Sequence, residues 1–230
     1  MRLRSVLGAA CVSLFASVNA AAEPPASSGA TARFALIVGV NRSVDSDAAL
    51  LRYADDDAAK YQDLFRGLGA RTYLLSRLDA NTIRLHPQAS AEAREPTRAE
   101  FLRALSQVES DVALARKRHV HTVVYVVYSG HGNVDAGEAY VSLEDARLFG
   151  KDLDALIFDR VGASEYHVIV DACYSSLLAT ARGPGGKRRT VRGFSQSGGI
   201  RPRDNVGLLF STGSARESHE WAGVESGVFS

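Results

Sequence analysis

Cysteine is almost missing from this chain of 230 residues, which holds only Cys11 and Cys173. So few cysteines exclude a disulfide-stapled scaffold, and the lack of any Cys pair or of histidines at helical ligand spacing excludes a structural zinc site. Charge of one sign is lacking too. With 27 basic and 26 acidic residues, the net +1 gives no overall pull toward nucleic acid or an anionic membrane. No apolar run approaches the roughly 20 residues that a membrane-spanning helix requires. What is present is 46% apolar residues, enough for one well-buried core, and a length that favours a single domain.

The first residues fall into three parts: a basic Met1 to Arg4, a mostly apolar Ser5 to Val18, and a small-residue Asn19 to Ala22. This order predicts a secretory signal peptide over residues 1–22 and a mature protein that is periplasmic or secreted and not held in a membrane. A lipoprotein signal ending at Cys11 fits less well, because Gly8 stands where a larger aliphatic residue is expected. Removal of Cys11 leaves Cys173 as the one cysteine of the mature chain, with no intramolecular partner. A lone cysteine can be an ordinary small core residue, so its neighbours decide the reading. Residues 23–32, rich in Pro, Ser and Gly, read as a flexible lead, and 33–230 as the domain.

Phe34 to Val40 is a continuous apolar run of strand length, the pattern of a strand covered on both faces. Asp55 is placed to cap a helix with apolar positions Ala58, Tyr61, Leu64, Phe65 and Leu68, and Gly67 or Gly69 can end it. Thr72 to Leu75 fits a strand. Thr97 with Glu100 forms a capping-box pattern ahead of the stripe Phe101, Leu105, Val108, Val112. Thr122 to Tyr128 is the strongest strand signal, Glu138 to Leu143 a short hairpin element, and Leu153, Leu156 and Ile157 a helix. Tyr166 to Val170 and Val206 to Thr212 complete the strands. Alternating strands and helices predict an α/β/α arrangement around a mostly parallel sheet.

In such a sheet, reactive groups gather beyond the carboxyl ends of the strands. Two predicted strands run directly into reactive residues: Thr122 to Tyr128 into Ser129, Gly130, His131 and Gly132, and Tyr166 to Val170 into Asp171, Ala172 and Cys173. A thiol becomes a strong nucleophile when an imidazole takes its proton or stabilises the thiolate. The backbone N–H groups of Gly132 and Cys173 are candidate donors to the oxyanion of a tetrahedral intermediate.

Tyr128 to Gly132 and Asp171 to Ser176 together resemble the two signatures of the caspase and metacaspase families, with the histidine 42 residues before the cysteine. The resemblance, which covers roughly residues 33 to 228, implies a caspase-like fold and a cysteine endopeptidase with His131 and Cys173 as its catalytic pair. Aspartate before the Ala172-Cys173 pair resembles the metacaspase and bacterial caspase-like branch, which implies cleavage after Arg or Lys. By the same resemblance Asp57 and Asp171 are pocket acids for the basic side chain, and Ser129 lines that pocket. Ser176 departs from the usual glycine, and Thr180 stands at a position that is acidic in cation-dependent relatives. A metal site is therefore not assigned. Asp135, Glu138, Glu144 and Asp145 remain as oxygen donors for Ca²⁺, and no cofactor is expected to be required. The chain ends at Ser230, where relatives continue into a further helix, so a shortened form is expected.

Between Arg182 and Arg203 lie seven basic residues and no acidic one, which leaves the remainder of the chain acidic. This stretch reads as a flexible basic loop, with Lys187, Arg188, Arg189 and Arg192 as positions for self-cleavage. Nucleic-acid binding is disfavoured there, since no aromatic platform accompanies the charge. The expected partners are proteins or peptides with a basic residue at the cleavage site, and the expected state is a monomer. The competing reading from another class is a caspase-fold module that binds a protein partner without catalysis. Among the other histidines, His167 reads as a packed or edge residue, His119 and His121 as solvated, and His219 as a weaker rival for the base.

Overall fold

The computed structural model describes residues 29–173, 175–178 and 199–211, together with the backbone of a small strand pair at Glu220–Trp221 and Ser226–Gly227. The expected leader, the processing positions Lys187, Arg188, Arg189 and Arg192, and also Thr180 and His219 lie outside the described residues, as does the Ser176 side chain.

Five parallel strands form the central sheet: β1 (Thr31–Val40), β2 (Arg71–Ser76), β3 (His121–Gly130), β7 (Glu165–Asp171) and β8 (Val206–Phe210), in the order β2-β1-β3-β7-β8. The alternation of β1 explains the two-sided cover. Phe34, Leu36, Val38 and Val40 join one core with Val124, Val126, Val168 and helix α4 (Arg98–Lys117), while Ala35 and Ile37 join a second with α1 (Ala54–Gly67). Each fully buried Leu, Val or Phe in these layers stabilises the fold by roughly 1.5–3 kcal/mol.

Helix α4 follows its sequence pattern. The Thr97 hydroxyl oxygen accepts the Glu100 N–H at 3.4 Å, and Phe101, Leu105, Val108 and Val112 are buried. The Glu100 carboxylate turns to Arg103 and not back to the cap. Helix α1 departs from expectation. Asp55 does not cap it; the helix begins at Ala54, Asp55 lies in the first turn, and Tyr53 at the cap position makes no side-chain cap bond. Its buried face runs through Ala58, Ala59, Gln62 and Phe65, while Leu64 and Leu68 are about half exposed, because the stripe turns toward the sheet one position earlier than its leucines suggest.

Between β2 and α4 lie two six-residue helices, α2 (Ala80–Leu85) and α3 (Pro87–Glu92). After β3 the chain builds a second, antiparallel sheet from β4 (Gly132–Asp135), β5 (Glu138–Ser142) and β6 (Arg147–Phe149). The helix expected around Leu153 is a four-residue α5 (Gly150–Leu153) continued by a π-turn, Asp154–Phe158. Asp154 and Asp159 there grip Arg201 and Arg203: Arg201 pairs with Asp159 at 2.6 Å and with Asp154, and Arg203 reaches Asp154 at 3.2 Å and Asp159 at 2.7 Å. Ile200 is buried and bonds through its N–H to the Leu178 carbonyl at 2.6 Å. The far end of the basic stretch is thus anchored, which shortens the loop expected over 182–203. No helix among the described residues is long and apolar enough to cross a membrane.

Candidate active site

The register of the sheet aligns the residues that carry chemistry. Gly39 on β1 lies opposite Ser129 on β3, and Ser129 lies opposite Asp171 on β7. Parallel pairing therefore delivers His131 and Cys173 to the same carboxyl edge, two residues beyond Ser129 and Asp171. The two segments then touch. A Cβ on Gly132 would fall inside contact distance of the Cys173 carbonyl oxygen and would meet Ala172 Cβ at 3.0 Å. Glycine at 132 is thus required by the approach of the Cys173 backbone, a use not foreseen from substrate binding alone.

The ring of His131 is fixed by the main chain. Its Nε2 lies 2.7 Å from the Ala49 carbonyl oxygen. A carbonyl can only accept, so Nε2 carries the hydrogen, and in the neutral ring Nδ1 is the basic nitrogen. Below it, the buried Tyr128 hydroxyl lies 2.9 Å from the His131 carbonyl and 2.7 Å from that of Ser142, and Ser142 N–H donates to the His131 carbonyl at 3.0 Å. Burial raises the Tyr128 hydroxyl far above its ordinary range, so it stays a neutral donor. Cys173 is a thiol of intermediate exposure.

The loop carrying Ala49 is braced at both ends. Asn41 accepts Ala54 N–H at 3.0 Å through its side-chain oxygen and donates to Asp55 at 2.6 Å. Asp45 accepts from Tyr140 at 2.7 Å and from Arg147 at 2.5 and 2.8 Å. Burial pushes the Asp45 carboxyl up, but the Tyr140 and Arg147 bonds outweigh it and hold the group below the ordinary carboxylate range. Ala49, Asn41 and Asp45 were not singled out from sequence, and Tyr128 only as the first residue of the Tyr128 to Gly132 signature. Only Asn41, a polar residue closing an apolar strand, carried a signal that could have found it.

The three consecutive acids of α1 are all buried yet face different groups. Asp55 is saturated: besides Asn41 it accepts Asp79 N–H at 2.8 Å and the Thr82 hydroxyl at 2.9 Å. Asp56 lies 3.0 Å and Asp79 3.1 Å from that same hydroxyl, which has a single hydrogen to donate. Burial pushes the Asp56 carboxyl up against the opposing Thr82 bond, with the charges of Asp55 and Asp79 adding to the rise. Asp57 faces the carboxyl end of β3. It accepts from the Ser129 hydroxyl at 3.4 Å and lies 3.8 Å from the Lys60 ammonium. Burial, then the charges of Asp171 and Asp57, raise the Tyr61 hydroxyl, which places both carboxylates near one tyrosine. Asp57, Ser129 and Asp171 are thus buried acidic and hydroxyl groups gathered with Tyr61 near the carboxyl ends of β3 and β7.

The acids considered for Ca²⁺ are not brought together. Asp135 pairs with Arg147 at 2.7 Å, Glu138 with Lys151 at 2.6 Å and Glu144 with Arg77 at 2.9 Å, while Asp145 accepts Arg98 N–H at 2.7 Å. Among the described residues no group of three or more His, Cys, Asp or Glu is arranged to hold a metal ion. His167 stacks on Tyr125 with ring centres 5.2 Å apart, and its Nε2 lies 2.9 Å from Glu165.

The family model described as the caspase domain matches residues 32–229. The chain belongs to the caspase-domain family. A search of curated proteins finds no match. Among solved structures, the chain is similar to pro-Sf-caspase-1, at 12% identity and a TM-score of 0.48 over 87% of this chain and 66% of that one. Caspase-1 from Spodoptera frugiperda is similar at 11% identity and a TM-score of 0.45, over 82% and 62%. A Geobacter sulfurreducens protein solved by structural genomics is similar at 18% identity and 0.44, over 63% and 51%. The chain thus spans between about half and two thirds of the length of these three structures. The caspase domain places the chain on a cysteine-peptidase type of fold.

Proposed function

We infer that the protein is an exported cysteine endopeptidase that cleaves after Arg or Lys, with His131 and Cys173 as its catalytic dyad. The observation that carries this reading is the His131 ring, held through Nε2 by the Ala49 carbonyl while its loop packs on the Cys173 backbone. In this mechanism Nδ1 takes the Cys173 proton, and the thiolate adds to the substrate carbonyl. The N–H groups of Gly132 and Cys173 stabilise the oxyanion, each donor contributing about 3 kcal/mol to the rate. The imidazolium then protonates the leaving amine, and water cleaves the thioester to release the acid and restore the thiol.

The gathering of Asp57, Ser129 and Asp171 supports the preference for a basic side chain, since paired carboxylates suit a guanidinium or ammonium. The same preference makes Lys187, Arg188, Arg189 and Arg192 sites of self-cleavage. The mature protein acts as a monomer without a cofactor. Fluorogenic peptides ending in Arg, Lys or Asp test the assignment. Turnover of the Arg and Lys probes that disappears in Cys173→Ala supports it, and equal turnover of the Asp probe overturns the specificity. Fast iodoacetamide labelling of Cys173 that slows in His131→Ala separates a working dyad from a binding module with an inert thiol. Mass spectrometry locates any break within 187–192, which must be absent from Cys173→Ala.

A further inference from the structure

The outer edge of β2 is only partly covered. Ser76 N–H donates to the Arg94 carbonyl at 2.8 Å, and Arg94 N–H donates to the Leu74 carbonyl at 3.0 Å, a parallel bridge centred on Leu75. A strand presents the backbone groups of alternate residues to the same edge. The N–H and C=O of Thr72 and the N–H of Leu74 therefore point the same way as the groups Arg94 occupies. The bridging segment cannot extend to cover them, because the residues before it, Pro87–Glu92, are helical.

A cleft of about 510 Å³ opens at this edge, lined by Arg71 to Leu75 and by Arg66, Arg94 and Arg103. Of the four guanidinium groups there, Arg71 is held by Asp111 at 2.9 Å and Arg103 by Glu100, which leaves Arg66 and Arg94 with Glu92 as the one further lining carboxylate. One nitrogen of Arg66 is buried without a hydrogen-bond partner, although Glu92 lies 3.2 Å from another. Among the described residues, Arg94 directs its side chain only to the Ala93 carbonyl, at 3.1 Å. No residue of the His131 or Cys173 segments lines the cleft.

We propose that this cleft is a docking site for an extended acidic segment of a partner protein, which adds a short strand beside Thr72–Leu74 while its carboxylates pair with Arg66 and Arg94. Strand addition draws affinity from main-chain hydrogen bonds and specificity from side-chain pockets, and this edge offers both. A cleft of this size has room for a few residues of peptide, and a bare inorganic anion would leave the strand edge unused. The site is separate from the chemistry of Cys173 and stands whether or not the chain is a peptidase.

Fluorescence anisotropy on the full chain carrying Cys173→Ala, so that no probe is hydrolysed, tests it. The probe is a labelled heptapeptide alternating Glu and Val. Saturable, salt-sensitive binding is expected, weakened about tenfold or more by Arg94→Glu with Arg103→Glu and by a central proline in the peptide, which removes a ladder N–H. If that double variant does not fold, Arg94→Ala gives the same readout at smaller amplitude. Absence of saturable binding overturns the proposal. So does equal binding of the proline peptide, which would leave charge alone, or displacement by inorganic phosphate at the peptide's own concentration, which would mark a simple anion site.

Discussion

The first turn of α1 sends two carboxylates one way and a third the other, and the two sides differ in what surrounds them. Asp55 and Asp56 face Asn41 and Thr82, a closed set in which Asp55 has three donors and Asp56 shares a single hydroxyl. Asp57 faces Ser129 and, with Asp171, lies near the Tyr61 hydroxyl at the carboxyl ends of β3 and β7. Acids adjacent in sequence and equally buried thus have separate surroundings: one side holds the loop that contacts His131, and the other carries the charge that the proposed specificity assigns to a basic side chain.

The largest way to break this contrast is Asp55→Ala. It takes the acceptor from the Asn41 amide and the Asp79 N–H, while the Thr82 hydroxyl keeps Asp56 and Asp79 within reach, and a loss of about 3 kcal/mol in urea unfolding is expected. A loss under 1 kcal/mol would mean that the Asn41 brace does not depend on it. Asp171→Asn should cut kcat/KM for Arg peptides about 100-fold, with a much smaller change in the unfolding midpoint. Asp57→Asn should cost less, about tenfold, because Lys60 already offsets part of its charge. If both substitutions lower stability instead of kcat/KM, Asp57 and Asp171 are structural and the two sides are alike.

The smallest effects are in the pH dependence. Asp56 has a raised folded pKa, so its contribution to stability is fully present below the ordinary aspartate range and is lost as pH rises through the folded value. Asp56→Asn should flatten that decline. Asp45 runs the opposite way: its depressed value gives stability above the ordinary range that is lost as pH falls through the folded value. Unfolding midpoints between pH 3 and 6 for Asp45→Asn and Asp56→Asn should therefore deviate from the parent with opposite slopes.

The parallel core was legible because β1, β3 and β7 are covered on both faces and read as unbroken apolar runs, and α4 because a capping threonine precedes one clean stripe. The antiparallel sheet of β4 to β6 was seen only as a hairpin near Glu138, since strands of three to five residues carry too few alternations to register. Helices α2 and α3 are single turns and a half without an apolar face. At the site, residue types were legible and directions were not. Three aspartates announced an acidic helix start, but only packing turns Asp57 toward Ser129 and Asp55 toward Asn41. Leu64 and Leu68 were misjudged for the same reason, as apolar side chains whose azimuth leaves them in solvent.

The group that fixes the tautomer of His131 belongs to the peptide backbone. Position 49 is therefore invisible to side-chain scanning, since every amino acid brings the same carbonyl and none can delete it. Selection cannot preserve the contact by keeping one letter of sequence; it acts on the route the chain takes from Asn41 to Tyr53. Variation should be tolerated at 49 itself and punished at Asp45 and Asn41, so the imprint of this contact falls on residues that never touch the ring.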